Sequence, residues 1–147
     1  MTDMIRAMKK SDIRACAEIL CAVYNNELWQ CRWTMEAGTA YLDDYFEAKK
    51  FAGFVVEEDE KLIGALFAHE KIWWNNSELY IDEMFVLPER QRGGYGGMLI
   101  RAAEEYVDEH SLAGLTLCTN RYAPAPNFYR KNGFSDNEAI LFMYKEV

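Results

Sequence analysis

The residues best placed to do chemistry lie in one stretch, from Leu79 to Met98. An apolar run ends at Pro88, four glycines follow at Gly93, Gly94, Gly96 and Gly97, and a helical pattern begins after them. The first N–H groups of a helix have no internal partner, and glycine permits positive φ and close backbone approach. Strand, glycine loop and helix together can therefore hold an anion such as a phosphate. A P-loop requires Gly-Lys-Ser/Thr, but Met98 follows Gly97. A dinucleotide fingerprint read from Gly94 and Gly96 puts Leu99 where its last glycine belongs. The next strand, ending Leu117-Cys118-Thr119-Asn120, offers no acid for a ribose. Upstream, Asp82 and Glu83 sit in mid-strand, where acidic residues are disfavoured. Alternation groups Asp82 with Tyr80 and Met84, and Glu83 with Ile81 and Phe85, so one carboxylate is expected to face a cleft.

The elements that must position these groups follow from periodicity. Met4 to Met8 reads as a strand. Ser11 or Asp12 caps a helix carrying Ile13, Cys16, Leu20, Val23 and Tyr24 at helical spacing, and Asn25-Asn26 breaks it. Thr34 caps a second helix to about Lys50, with Gly38 as its weak point. Three strands joined by short turns, Phe51–Glu57, Leu62–Trp73 and Leu79–Leu87, make an antiparallel meander. A helix from Met98 to about His110, a strand over Leu115–Thr119, a short helix at Asn127–Lys131 and a last strand at Ala139–Lys145 complete the order β-α-α-β-β-β-α-β-α-β. That is an α+β or mixed α/β domain, one unit of residues 1–147, with helices on a mostly antiparallel sheet.

Composition narrows the function. Half of the residues are apolar, and the net charge of −8 disfavours nucleic acid and anionic lipid as partners. Positive charge gathers at Arg90, Arg92 and Arg101, beside the glycine loop. No membrane span or signal-peptide layout is present, so a cytoplasmic protein is expected. Cys16, Cys21, Cys31 and Cys118 form no C-x-x-C pair; Cys16 and Cys118 read as small hydrophobes on apolar faces. His69 and His110 look incidental, and no metal is expected.

Gln91-x-x-Gly94-x-Gly96, directly after a strand ending Val86-Leu87-Pro88, resembles the acetyl-CoA motif Q/R-x-x-G-x-G/A of the GNAT-superfamily N-acetyltransferases. Ala125-Pro126-Asn127-Phe128-Tyr129-Arg130-Lys131-Asn132-Gly133-Phe134 is similar to that superfamily's later A-x-x-F-Y-x-x-x-G-F segment, and the two blocks stand in the right order. The glycines at Gly93 and Gly97 are additions to the motif, expected to make the loop more mobile.

The resemblance implies a GNAT-like fold in which backbone N–H groups of Arg92, Gly93, Gly94, Tyr95, Gly96 and Gly97 hold the pyrophosphate of acetyl-CoA. Gln91, Asn120 and Asn127 join the implied cofactor contacts, and Phe85 and Val86 would bond the pantetheine arm through their backbone along an edge left by splayed strands. Tyr129 matches the tyrosine that protonates the departing CoA thiolate. The stretch Leu79–Val86 looks like the corresponding strand of polyamine acetyltransferases, whose acidic residue at the Asp82 position is linked to deprotonating the amine; Glu83 is the alternative base. The implied activity is direct transfer of acetyl from acetyl-CoA to a primary amine on a small cationic molecule, of the polyamine or aminoglycoside kind. A peptide or protein amine is the second acceptor class, and a non-catalytic acetyl-CoA sensor the rival reading. Tyr24, Trp29, Trp33, Tyr41 and Trp73-Trp74, with Glu27, Glu36, Asp43 and Asp44, are candidates to line a pocket for a cation. A homodimer is expected.

Overall fold

A computed structural model describes residues 3–147. Strand β1 (Asp3–Ala7) leads through a 3-10 turn (Lys10–Asp12) into α1 (Ile13–Tyr24) and α2 (Met35–Phe46). Strands β2 (Phe51–Glu58), β3 (Lys61–Lys71) and β4 (Glu78–Val86) follow. After a 3-10 turn at Pro88–Arg90 come α3 (Tyr95–Glu109), β5 (Leu115–Leu117) and α4 (Ala125–Lys131). The five strands form one sheet in the order β1-β2-β3-β4-β5, antiparallel except for the parallel pair β4–β5.

The helices cover both faces, so the central strand β3 is apolar on both sides and buried from Ile63 to Ala68. On one face, α1 packs Ile13, Cys16, Ala17 and Leu20 over Val55, Ala65, Phe67 and Phe85. On the other, α3 packs Leu99, Ile100 and Ala103 over Val56, Leu66 and Ile81. Thr34 Oγ1 caps α2, accepting the Ala37 N–H at 3.0 Å. Gly38 is no weak point: it is buried, and a Cβ there would lie 3.3 Å from Leu20 Cδ2, so it lets α2 approach α1. Asp12 does not cap α1 through its side chain. It accepts the Lys9 N–H at 2.7 Å and pairs bidentately with Arg6, which also reaches Glu57 on β2. That network fixes the entry of α1 onto the sheet.

Two boundaries differ from expectation in ways that matter. Helix α3 begins at Tyr95, three residues earlier than its apolar pattern, because Gly94 at φ +89° takes the left-handed turn that starts it. No strand forms at Ala139–Lys145; beyond a turn at Glu138–Ala139 that segment has no regular secondary structure. Five of the six expected strands are present. No helix among the described residues is long and apolar enough to cross a membrane.

Candidate active site

Strands β4 and β5 pair only at Leu79–Leu115, Tyr80–Thr116 and Ile81–Leu117. Beyond that point they separate, and the outer edge of β4 from Asp82 to Val86 has no strand beside it. A cleft of about 700 Å³ opens there, with the glycine loop at one end and α1 with its following loop at the other. The open edge expected from the splay is thus present.

At the loop end, Met98 donates the first intrahelical bond to the Gly94 carbonyl, at 3.1 Å. The N–H groups of Gly96 and Gly97 therefore have no intrahelical acceptor, and the dipole of the 15-residue helix adds to them. Gly94, Gly96 and Gly97 line the cleft with Arg92. A Cβ on Gly96 would meet Phe128 Cζ at 2.8 Å, so this glycine is required by the approach of α4. Arg92 has no ion-pair partner among the described residues, whereas Arg90 is taken by Glu58 at 2.7 Å. Gly93 and Tyr95 do not line the cleft: Gly93 is exposed on the loop, and the Tyr95 ring is buried with its hydroxyl donating to Glu58 at 2.7 Å. Gln91 Nε2 donates to the Val86 carbonyl at 3.0 Å, tying the loop to the end of β4. That carbonyl lies on the open edge, whereas the Phe85 carbonyl faces β3, 3.1 Å from where a Cβ on Gly64 would stand.

The opposite end is built from side chains. A register shift between Phe67 and Ala68 pairs them with Glu83 and Ile81, leaving Asp82 bulged out of the ladder. The bulge breaks the alternation, and both acidic residues are among those that line the cleft. Glu83 accepts the Tyr24 hydroxyl at 3.1 Å on one oxygen and the Tyr41 hydroxyl at 2.6 Å on the other. Burial raises its pKa, and the two phenols counter only part of that rise. Asp82 Oδ2 lies 2.7 Å from His69 Nδ1, with an Asp82 side chain 8% exposed and a His69 side chain 32% exposed. Burial raises the Asp82 pKa too, with the His69 contact opposing it. His69 is therefore not incidental; it links a sheltered carboxylate to solvent. His110 instead stacks on Tyr106, with ring centroids 3.8 Å apart.

Tyr24, Trp29 and Trp33 line the end of the cleft opposite the glycine loop. Tyr24 and Trp29 meet edge to face at 5.0 Å, and Trp33 leans on Tyr41 at 4.8 Å. Asn25 clamps this loop: its side chain donates to the Trp33 carbonyl at 2.8 Å and accepts the Trp33 N–H at 2.7 Å. The pair that reads as a helix breaker in sequence thus also holds the aromatic wall in place. Trp73 and Trp74 do not belong to the wall; they project from the β3–β4 turn, 65% and 84% exposed. Glu27, Glu36, Asp43 and Asp44 also lie off the cleft, and Asp43 is paired with Lys10. Cys118 is exposed on the cleft lip, not on an apolar face.

Between the two ends stands Tyr129, on α4, with its ring held edge to face by Phe128 and Phe134. Its hydroxyl has no hydrogen-bond partner among the described residues. Burial, and then the charge of Glu83, push its pKa up to about 12, so near neutral pH the phenol keeps its proton and can donate it. Asn120 lines the cleft, with its side chain accepting the Tyr122 N–H at 2.9 Å. Asn127 does not line it and accepts from Arg130 instead. Val23, Leu28, Leu117 and Thr119 complete the wall without having been singled out in sequence.

A family model for the Acetyltransferase (GNAT) family matches residues 20–134. The chain belongs to the GNAT family. Uncharacterized N-acetyltransferase YhfO of Bacillus subtilis (strain 168) is 26% identical over 140 residues, covering 93% of each chain. Among solved structures, AAC(6')-Iy in complex with the bisubstrate analogue CoA-S-monomethyl-acetylneamine is similar over 100% of both chains, at 20% identity and a TM-score of 0.77. A protein described as a transcriptional regulator from Bacillus halodurans C-125 reaches a TM-score of 0.79 at 18% identity, over 98% of this chain and 100% of its own. Likeness at that level speaks for the fold. Family membership makes this GNAT protein an acetyl-CoA-dependent N-acetyltransferase. The residues present suit that co-substrate: the N–H groups of Gly96 and Gly97 with Arg92 would hold a pyrophosphate, and the open β4 edge would hold the arm that follows it.

Proposed function

We propose that this GNAT enzyme acetylates a primary amine on a small cationic molecule, of the polyamine or aminoglycoside kind, by direct attack with no covalent enzyme intermediate. The observation that carries this reading is that Tyr129, Asp82 and Glu83 share one cleft with the glycine loop and an aromatic wall. Acetyl-CoA supplies a thioester whose departing thiolate must be protonated, and the amine must lose a proton before it can attack.

In this reading Gly94, Gly96, Gly97 and the α3 N-terminus bind the pyrophosphate with Arg92. Val86 offers its backbone to the pantetheine arm, and Phe85 supports it by packing. Asp82 accepts the proton of the ammonium, directly or through one water, and His69 passes it toward solvent. Both oxygens of Glu83 already accept phenols, which suits a fixed anion that holds the cation against the rings of Tyr24 and Trp33. Tyr129 donates to the leaving thiolate. The whole chain serves as one catalytic domain, and it works as a homodimer.

A two-part experiment tests the proposal. Acetyl-CoA is expected to raise the melting temperature, and thiol release across a panel of polyamines, aminoglycosides and peptides is expected only with the first two. Turnover confined to peptides moves the acceptor to the protein class. Stabilisation by acetyl-CoA with no turnover on any amine makes the domain a sensor.

A further inference from the structure

A single carboxylate on β2 holds both ends of the glycine loop. Glu58 closes β2 and pairs with Lys61 across a two-residue turn, in which Asp59 and Glu60 take φ of +52° and +65°. Positive φ at both central positions matches the twist of a hairpin, so Glu58 stands at a fixed corner of the sheet. One of its oxygens accepts Arg90 Nε–H at 2.7 Å, and the other accepts the Tyr95 hydroxyl at 2.7 Å. Arg90 is the last residue of the 3-10 turn, and Tyr95 is the first of α3. The Tyr95 ring is buried in the α3-side core, which sets the direction of its hydroxyl.

The backbone between those ends needs such a bracket. Arg92 and Gly94 take left-handed φ of +69° and +89°. A non-glycine residue keeps that conformation only where its surroundings fix it. Gly93 fits inside the bracket: a Cβ there would stand 3.0 Å from Tyr95 Cε2 and 3.2 Å from the Arg90 carbonyl oxygen. The glycine added to the acetyl-CoA motif therefore lets the loop close against the Tyr95 ring. The bond from Tyr95, and then that from Arg90, hold the Glu58 carboxyl below its ordinary range, so the bracket is ionised near neutral pH.

We propose that Glu58 is a positioning residue for acetyl-CoA: from β2 it brackets the loop, so that Arg92, Gly94 and the first turn of α3 are in place before the pyrophosphate arrives. Glu58 does not line the cleft, so it acts through Arg90 and Tyr95 and not by contact with the co-substrate. A loop ordered in advance spares the ligand the entropy of ordering it, and that saving appears as affinity. Arg90 does line the cleft, but its charge is taken by Glu58, which leaves Arg92 to meet the phosphates. This inference rests on the reading of the glycine loop as the pyrophosphate seat.

Titration calorimetry tests it with two ligands, acetyl-CoA and S-acetylpantetheine, which lacks the pyrophosphate and the nucleotide. Glu58→Ala is expected to raise the dissociation constant for acetyl-CoA about tenfold, more than one neutral hydrogen bond would give, because both bonds meet an ionised group. Tyr95→Phe removes the hydroxyl and keeps the ring, and should weaken binding about fivefold. The double variant should lose less than the product of the two, as residues sharing one contact do. The constant for S-acetylpantetheine should stay unchanged in all three, which a general defect in folding would not spare. An unchanged acetyl-CoA constant in either single variant overturns the proposal, as does equal weakening of both ligands or a full product in the double variant. A wild type that binds the two ligands equally removes the pyrophosphate reading itself. A wild type that prefers acetyl-CoA, with variants that keep the whole preference, removes only the role of Glu58. Should Glu58→Ala fail to fold, Tyr95→Phe is decisive by the same comparison.

Discussion

The two ends of the cleft are made of different materials. The cofactor end is mostly backbone: three glycines, the first turn of α3 and the free edge of β4. The opposite end is side chains drawn from distant elements: Tyr24 on α1 and Tyr41 on α2 each give one hydrogen bond to Glu83 on β4, and His69 on β3 meets Asp82. Backbone groups keep their positions when a neighbour changes, which suits the proposed binding of a feature common to every reaction cycle. A constellation of side chains can be altered one member at a time, which suits the part of the site that selects the acceptor.

If that division holds, variants at the two ends must fail differently. The largest effect is expected at Tyr129, between them. Tyr129→Phe keeps the ring contacts with Phe128 and Phe134 and removes only the proton, so kcat should fall about 100-fold with the KM for acetyl-CoA nearly unchanged. Steady-state kinetics check this, and unchanged kcat removes the acid role.

At the acceptor end, Asp82→Asn is expected to lower kcat by roughly 30-fold, just below the usual span of general-base effects because water can take over part of the role. The pH profile is the sharper readout. Burial raises the Asp82 pKa, so its ionised, proton-accepting form is present above that raised value and lost as pH falls through it. The wild-type kcat should therefore show an acid limb above the ordinary carboxylate range, and Asp82→Asn should lack it. His69→Ala should keep the limb, displaced upward, because the contact opposing the rise is gone.

Stability should move the other way from activity at Glu83. Its folded pKa is raised, so protonation favours the folded state; that contribution is full below the unfolded pKa and is lost as pH rises through the folded one. Above the folded pKa the ionised, sheltered carboxylate works against folding. Glu83→Gln should melt higher than wild type at pH 8, and the gap should close toward pH 4, while the KM for a cationic acceptor rises about tenfold. Equal melting curves at both pH values would mean that Glu83 is not sheltered in solution.

The same contrast explains what was readable in the sequence. The glycine loop is local: Gln91, Gly94 and Gly96 carry their spacing within six residues, and the helix that completes the cradle is the next element along the chain. The meander and helix order were readable for the same reason, since period and turn residues are local properties. The acceptor end is not local. Nothing in the spacing of Tyr24, Tyr41 and Glu83 shows that both phenols reach one carboxylate, 59 and 42 residues away. Nor does strand alternation show the bulge at Asp82, where both acids line the cleft and His69 meets one of them. Trp73-Trp74 was the opposite error. Aromatic residues near an expected site look like its wall, but the β3–β4 turn carries this pair away from it. The run at residues 140–144 has the composition of a strand, yet forming one needs an edge beside it, and composition does not show whether the fold supplies one.

The smallest effect is expected where a side chain serves the backbone end. Gln91 gives one neutral hydrogen bond to the Val86 carbonyl, a partly buried contact across five residues. A neutral hydrogen bond of this kind contributes about 1 kcal/mol, roughly fivefold in affinity. The loop retains its Gly94 turn and its link to the body through Tyr95 and Glu58. Gln91→Ala should therefore raise the dissociation constant for acetyl-CoA about fivefold by titration calorimetry and leave the acceptor KM and the pH profile where they were. A shift in the acceptor KM as large as that in cofactor affinity would mean that the two ends are coupled through the end of β4, and the division between them would be lost.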